Sequence, residues 1–133
     1  MSVSVLKGKS CTRVYEHYEG HFTFDFGDAN LVAETLWRVI AKDRIALTSR
    51  DHGQQFGLPA PLDAAAEAMK LLGQSRIVDV ELDETLADLS LEFEDGTRLE
   101  FLTESSGYEP WSLGAPGVNI VGLGGGGTSS FSG

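Results

Sequence analysis

The sequence predicts an α+β domain, mostly antiparallel, with about eight strands built from hairpins and one main helix at about residues 61–72. Three observations carry that prediction. Apolar residues alternate with polar ones in several short runs, which is the period of half-buried strands. Turn residues separate those runs at short intervals, which favours hairpins over the long crossovers of a parallel sheet. Only one stretch, APLDAAAEAMKLLGQ, combines helical spacing with start and stop signals.

The elements follow in order. HYEGH reads as a surface segment leading into the first strand. Phe22, Phe24 and Phe26 alternate with polar residues, and Gly27-Asp28-Ala29-Asn30 is a turn cluster. With those four residues as the loop, Phe26 pairs with Leu31 and Phe24 with Ala33. One continuous strand then places Leu31, Ala33, Thr35, Trp37 and Val39 on the phenylalanine face. RIALTSRD is a third strand with Ile45 and Leu47 inward, and HGQQFGLPAP is a loop. In the helix, Pro61 suits the first turn and Gly73 the stop. Its apolar stripe is Leu62, Ala65 or Ala66, Met69 and Leu72.

The clearest alternation spans residues 76–103. Val78, Val80 and Leu82 point inward, as do Leu89, Leu91 and Phe93, then Leu99 and Phe101. Parity dictates the loops, because a one-residue slip turns a strand inside out. The first is Glu84-Thr85-Leu86-Ala87. The second is Glu94-Asp95-Gly96, with Gly96 left-handed, Glu92 opposite Arg98 and Leu91 opposite Leu99. GYEPWSL and GVNIVGL make a last hairpin, with Trp111 facing Ile120. Residues 1–123 form a single domain in this reading, and 124–133 form a flexible Gly/Ser tail.

Charge is unevenly placed. The net charge is −10. Residues 1–50 hold seven Lys/Arg and six Asp/Glu, whereas residues 51–133 hold three and fourteen. Such a surface repels phosphate backbones, which makes nucleic acid and anionic membrane poor partners and a basic protein a good one. The single cysteine, Cys11, permits no internal disulfide and fits a reducing compartment. No run reaches the roughly 20 apolar residues of a membrane helix, and the N-terminal stretch lacks a signal-peptide core. The expectation is a cytoplasmic protein.

The chemical motifs are weak. Gly122, Gly124 and Gly127 spell G-x-G-x-x-G, but only six residues follow. They cannot form the helix whose N-terminus would hold a pyrophosphate. His17 and His21 stand four apart without the Glu of the zinc-protease pattern, and Gly20 opposes a helix there. Cys11 with either histidine has no spacing that makes a nucleophile and base. Ser49, Asp51 and His52 are too close in sequence to converge, and a capped turn explains them. Neither a cofactor nor a metal is expected.

The strongest unusual feature is an acidic sheet face. Residues 79–109 contain eleven acids and one base, Arg98. Asp79, Glu81, Asp83, Glu92, Glu94 and Glu100 share one face of three adjacent strands, where like charges repel. The face reads either as a solvated outer surface or as a dock for a basic partner. Arg38, Tyr108, Glu109 and Trp111 complete the candidate binding residues, although core packing also accounts for Trp37 and Trp111.

LVAETLWR, LADLSLEFEDGTRLEF and YEPWSL with the glycine-rich end resemble a family of small uncharacterised bacterial α+β proteins. There is a looser similarity to immunity proteins of bacterial toxin systems. That resemblance implies a stoichiometric inhibitor that performs no chemistry, and it supplies no catalytic residue. The expected function is therefore a non-enzymatic binding protein that docks a protein partner through its acidic face. The alternative is a small-molecule binder or hydrolase with a pocket near Arg38, Asp51, His52 and Glu109. A homodimer with paired sheets is a third arrangement.

Overall fold

The computed structural model describes residues 2–131. Eleven strands run through it: β1 (Arg13–Tyr18), β2 (His21–Asp25), β3 (Asn30–Ala33), β4 (Leu36–Ala41), β5 (Arg44–Thr48), β6 (Ile77–Leu82), β7 (Leu89–Phe93), β8 (Arg98–Leu102), β9 (Trp111–Ala115), β10 (Val118–Gly122) and β11 (Thr128–Phe131). One α-helix, α1 (Ala64–Leu72), stands between β5 and β6. The strands form two antiparallel sheets, ordered β1-β2-β3-β9-β10-β11 and β5-β4-β8-β7-β6.

The expected count of about eight strands is thus corrected to eleven, divided between sheets of six and five. Three additions account for the difference. RVYEHY is a strand whose one buried residue is Val14, so it carries no alternation to read. The run 31–39 is two strands, because the chain leaves β9 after Ala33 and joins β8 at Leu36. The third is β11, which pairs with β10 over residues 128–131, inside the stretch expected to be a flexible tail. Residues 132 and 133 of that stretch lie outside the described residues.

The crossing at Glu34-Thr35 is held from both sheets. Glu34 N–H donates to the Pro110 carbonyl at 2.9 Å, and the buried Thr35 hydroxyl donates to the Leu102 carbonyl. Side-chain parity survives it. Leu31, Ala33, Trp37 and Val39 are all fully buried, because the inner faces of both sheets look at one core. There Phe24 packs edge-on against Trp37 at 5.0 Å and Phe101 at 5.4 Å, joining the first sheet to the second.

Parity was easier to read than register. The β7–β8 hairpin has the expected three-residue loop, with Gly96 at φ +91° and Glu92 opposite Arg98. The β6–β7 loop is 84–87, as parity required. The β2–β3 ladder is displaced by two residues from expectation, however. Phe24 faces Leu31 and Phe22 faces Ala33, because Phe26 and Ala29 are also drawn in and only Gly27-Asp28 turns. The β9–β10 ladder is displaced in the same way. Ile120 faces Leu113 rather than Trp111. A shift of two leaves every side chain on its face, so alternation alone cannot detect it. Bulges invert two other assignments. Ile45 and Val78 are exposed, while Ile77 is buried, beside irregularities at Val39/Ile40 and Ile77/Asp79.

The helix starts later than expected. Asp63 caps it by accepting from Ala66 N–H at 3.2 Å, and Pro61 belongs to the loop before it. Gly73 ends it at φ +56°. Ala64, Ala65, Ala68 and Leu72 face the core, with Met69 half-buried and Ala66 exposed.

Candidate functional site

The outer face of the second sheet is built by parity from β4, β8, β7 and β6. One row across the strands reads Arg38, Glu100, Ser90, Glu81, and the next reads Arg98, Glu92, Asp79. Glu100 is the centre of this face and is only 6% exposed. Its carboxylate accepts from Arg38 Nε at 2.7 Å and from Arg98 Nη2. Burial pushes the Glu100 carboxyl up, but the hydrogen bonds and charges of the two arginines outweigh it and hold it below the ordinary carboxylate value. The same contacts, with lesser help from Glu92 and Glu81, raise the Arg98 guanidinium.

Only the pairing of β4 with β8 brings Arg38 to Glu100, which lies 62 residues away in the chain. Lys7 also reaches Asp79, at 3.8 Å. Three cations therefore stand among Asp79, Glu81, Glu92 and Glu100, so the face is less acidic than the count over 79–109 suggested. Asp79, Glu81, Ser90, Glu92 and Arg98 surround a hollow of about 130 Å³. Glu94 is exposed at the β7 end of the same face.

A larger cleft, about 830 Å³, lies where the chain crosses between the sheets. Glu34 and Thr35 come from the β3–β4 crossing, Glu104, Ser105 and Gly107 to Pro110 from the β8–β9 crossing, Arg50 from the turn after β5, and His21 from the start of β2. Arg50 donates to Glu104, whose other oxygen accepts from Leu36 N–H at 3.0 Å. His21 Nδ1 lies 3.4 Å from Glu34. Tyr108 is 82% exposed. Sequence reasoning singled out Tyr108 and Glu109 but missed Glu34, Arg50 and Glu104, which only the two crossings bring together. Trp111, by contrast, is 1% exposed. Its indole N–H donates to the Ala87 carbonyl at 2.7 Å, so it is a core residue and offers no binding surface.

The glycine run braces this end of the molecule. Leu123 N–H donates to Gly127 O, and Gly125 N–H donates to Ser105 O at 2.8 Å. A Cβ on Gly124 would lie 2.4 Å from the Gly107 backbone, one on Gly126 2.1 Å from Thr85 O, and one on Gly122 3.0 Å from the Trp111 indole. These glycines permit close backbone approach, and a strand follows them where a nucleotide site requires a helix.

The other expected groups are scattered. Arg38 is on the outer sheet face, whereas His52 accepts from Ala64 N–H at 3.1 Å and faces Glu16 at 3.2 Å. Asp51 caps its own turn by accepting from Thr48 N–H. Glu109 lines the cleft. Among the described residues, no hydrogen bond, ion pair or cavity joins Arg38, His52 and Glu109. His17 and His21 sit on paired strands, and His17 Nδ1 meets the Thr23 hydroxyl at 2.8 Å. Cys11 is buried, 3.9 Å from Met69 Sδ; burial pushes its thiol up to about 12.

No helix among the described residues is long and apolar enough to cross a membrane. In comparisons with protein-family models, curated proteins and solved structures, the chain matches none.

Proposed function

We propose that the chain is a non-enzymatic binding protein that docks a basic protein partner on the outer face of the second sheet. In this reading it is an inhibitor or adaptor of the immunity-protein kind, acting in a reducing compartment such as the cytoplasm. One observation carries the reading. Asp79, Glu81 and Glu92 stand side by side on hydrogen-bonded strands, with the doubly bound Glu100 behind them. Carboxylates on a rigid sheet are pre-organised for cations and lose little freedom on binding. The surplus of acid over residues 51–133 steers a basic partner toward them and makes the encounter salt-sensitive.

The test neutralises the three outer carboxylates while leaving Glu100 in place. Reversing Glu100 would put three cations together and damage the fold rather than probe the surface. The variant Asp79→Asn/Glu81→Gln/Glu92→Gln is checked for native spectra and used beside wild type to capture basic proteins from lysate. Capture by wild type at low salt, lost at high salt and lost with the variant, supports the reading. Equal capture by the folded variant removes the sheet face from it. Light scattering on the same samples distinguishes a monomer from a homodimer.

A further inference from the structure

We propose that the cleft between the two crossings is a second binding site, one that receives an arginine side chain of a protein partner. It rests on the reading that the partner is a basic protein, but it uses different residues and a different end of the fold. The cleft, about 830 Å³, has the volume of a site for a side chain and its flanking backbone.

Its walls already show the chemistry they accept. Glu104 holds the Arg50 guanidinium, and Glu34 faces the His21 imidazole. Glu109 is the third carboxylate of the lining, and it has no hydrogen-bond or ion-pair partner among the described residues. Beside it Tyr108 stands almost wholly in water. The loop that carries both is pinned. Ser105 Oγ accepts from Gly107 N–H at 3.1 Å and from Tyr108 N–H at 3.0 Å, while the glycine run clasps Ser105 and Gly107 from behind. A large aromatic ring displayed on a fixed loop costs little entropy when a partner covers it.

An unmatched carboxylate and an exposed ring lining one cleft suit a guanidinium best. Its planar fork pairs with the carboxylate while its face stacks on the tyrosine. An ammonium has no such face, and three carboxylates against one guanidinium and one imidazole disfavour an anion.

The experiment uses the full chain, isotopically labelled, at low salt. N-acetyl-arginine-N-methylamide is titrated in and amide shifts are followed, with the citrulline, lysine and glutamate counterparts and free agmatine as comparisons. The expected result is saturable shifts at Glu34, Gly107, Tyr108 and Glu109 for arginine, weaker for lysine and none for citrulline or glutamate. Tyr108→Ala and Glu109→Gln, both at exposed positions, each weaken binding by about threefold. The sheet-face variant Asp79→Asn/Glu81→Gln/Glu92→Gln binds the capped arginine as wild type does, so the two sites fail or survive separately. No shifts at those amides, equal binding of citrulline, or shifts confined to the sheet face would overturn the proposal. Tighter binding of agmatine than of the capped residue would overturn its protein partner in favour of a free metabolite.

Discussion

Glu100→Gln is the sharpest perturbation of the second sheet. The side chain keeps its volume, but it loses the charge that holds Arg38 and Arg98 and turns an amide N–H₂ toward a guanidinium. A hydrogen bond to a buried charge contributes about 1.5–3 kcal/mol. Two are lost here, but the arginine side chains are 35% and 47% exposed, so water recovers much of their solvation. The expected loss is about 2 kcal/mol, which for a chain of this size lowers Tm by about 7 °C. The pH dependence carries a definite sign. The folded carboxyl titrates below its unfolded value, so wild type has its full advantage above the ordinary glutamate value of about 4.3. That advantage falls away as pH drops through the lower, folded value. Thermal melts of both proteins from pH 7 down to pH 3 measure this. A Tm change below about 1 °C at pH 7 would refute the argument. So would a difference that stayed constant with pH, because the carboxylate would then not be the group that holds the arginines.

Two further predictions test the interior. Gly126→Ala places a methyl 2.1 Å from Thr85 O at a φ of +123°, and should cost about 3 kcal/mol in urea unfolding, whereas Gly107→Ala, with nothing within 4 Å of its Cβ, should change stability by less than about 0.5 kcal/mol. Equal effects of the two would mean that the glycine run is not clasped as described. Cys11, buried and with its thiol pushed up to about 12 by burial, with a backbone hydrogen bond at Arg13 opposing the rise and Asp25 adding to it, should resist iodoacetamide at pH 8. Mass spectrometry should show labelling only after denaturant is added; rapid labelling of the native chain would place the thiol at the surface.

What the sequence determined by itself was parity. Alternation assigned inward and outward faces correctly for β7 and β8, located the Glu94-Asp95-Gly96 turn, and placed Glu92 against Arg98. It also identified the helix and its glycine stop. These properties are local, because the pleat repeats every two residues and the helix every 3.6. Tertiary structure decided the rest. Two ladders slipped by two residues, a change that preserves parity; in β2–β3 the turn that lets Phe26 and Ala29 reach the core selects it. A single run of alternating residues became two strands in opposite sheets, since its inward side chains meet the same core on either side of Thr35. The candidate sites show the same division. Asp79, Glu81 and Glu92 were legible as a face, but the partnership of Arg38 with Glu100 was not. Nor was the meeting of Glu34, Arg50 and Glu104 with Tyr108. Residues 124–133 were read as a mobile end because their glycine-rich composition offers few side chains to pack. That same lack lets their backbone approach Gly107 and Thr85, and no local pattern records which distant backbone will fill the space a side chain leaves.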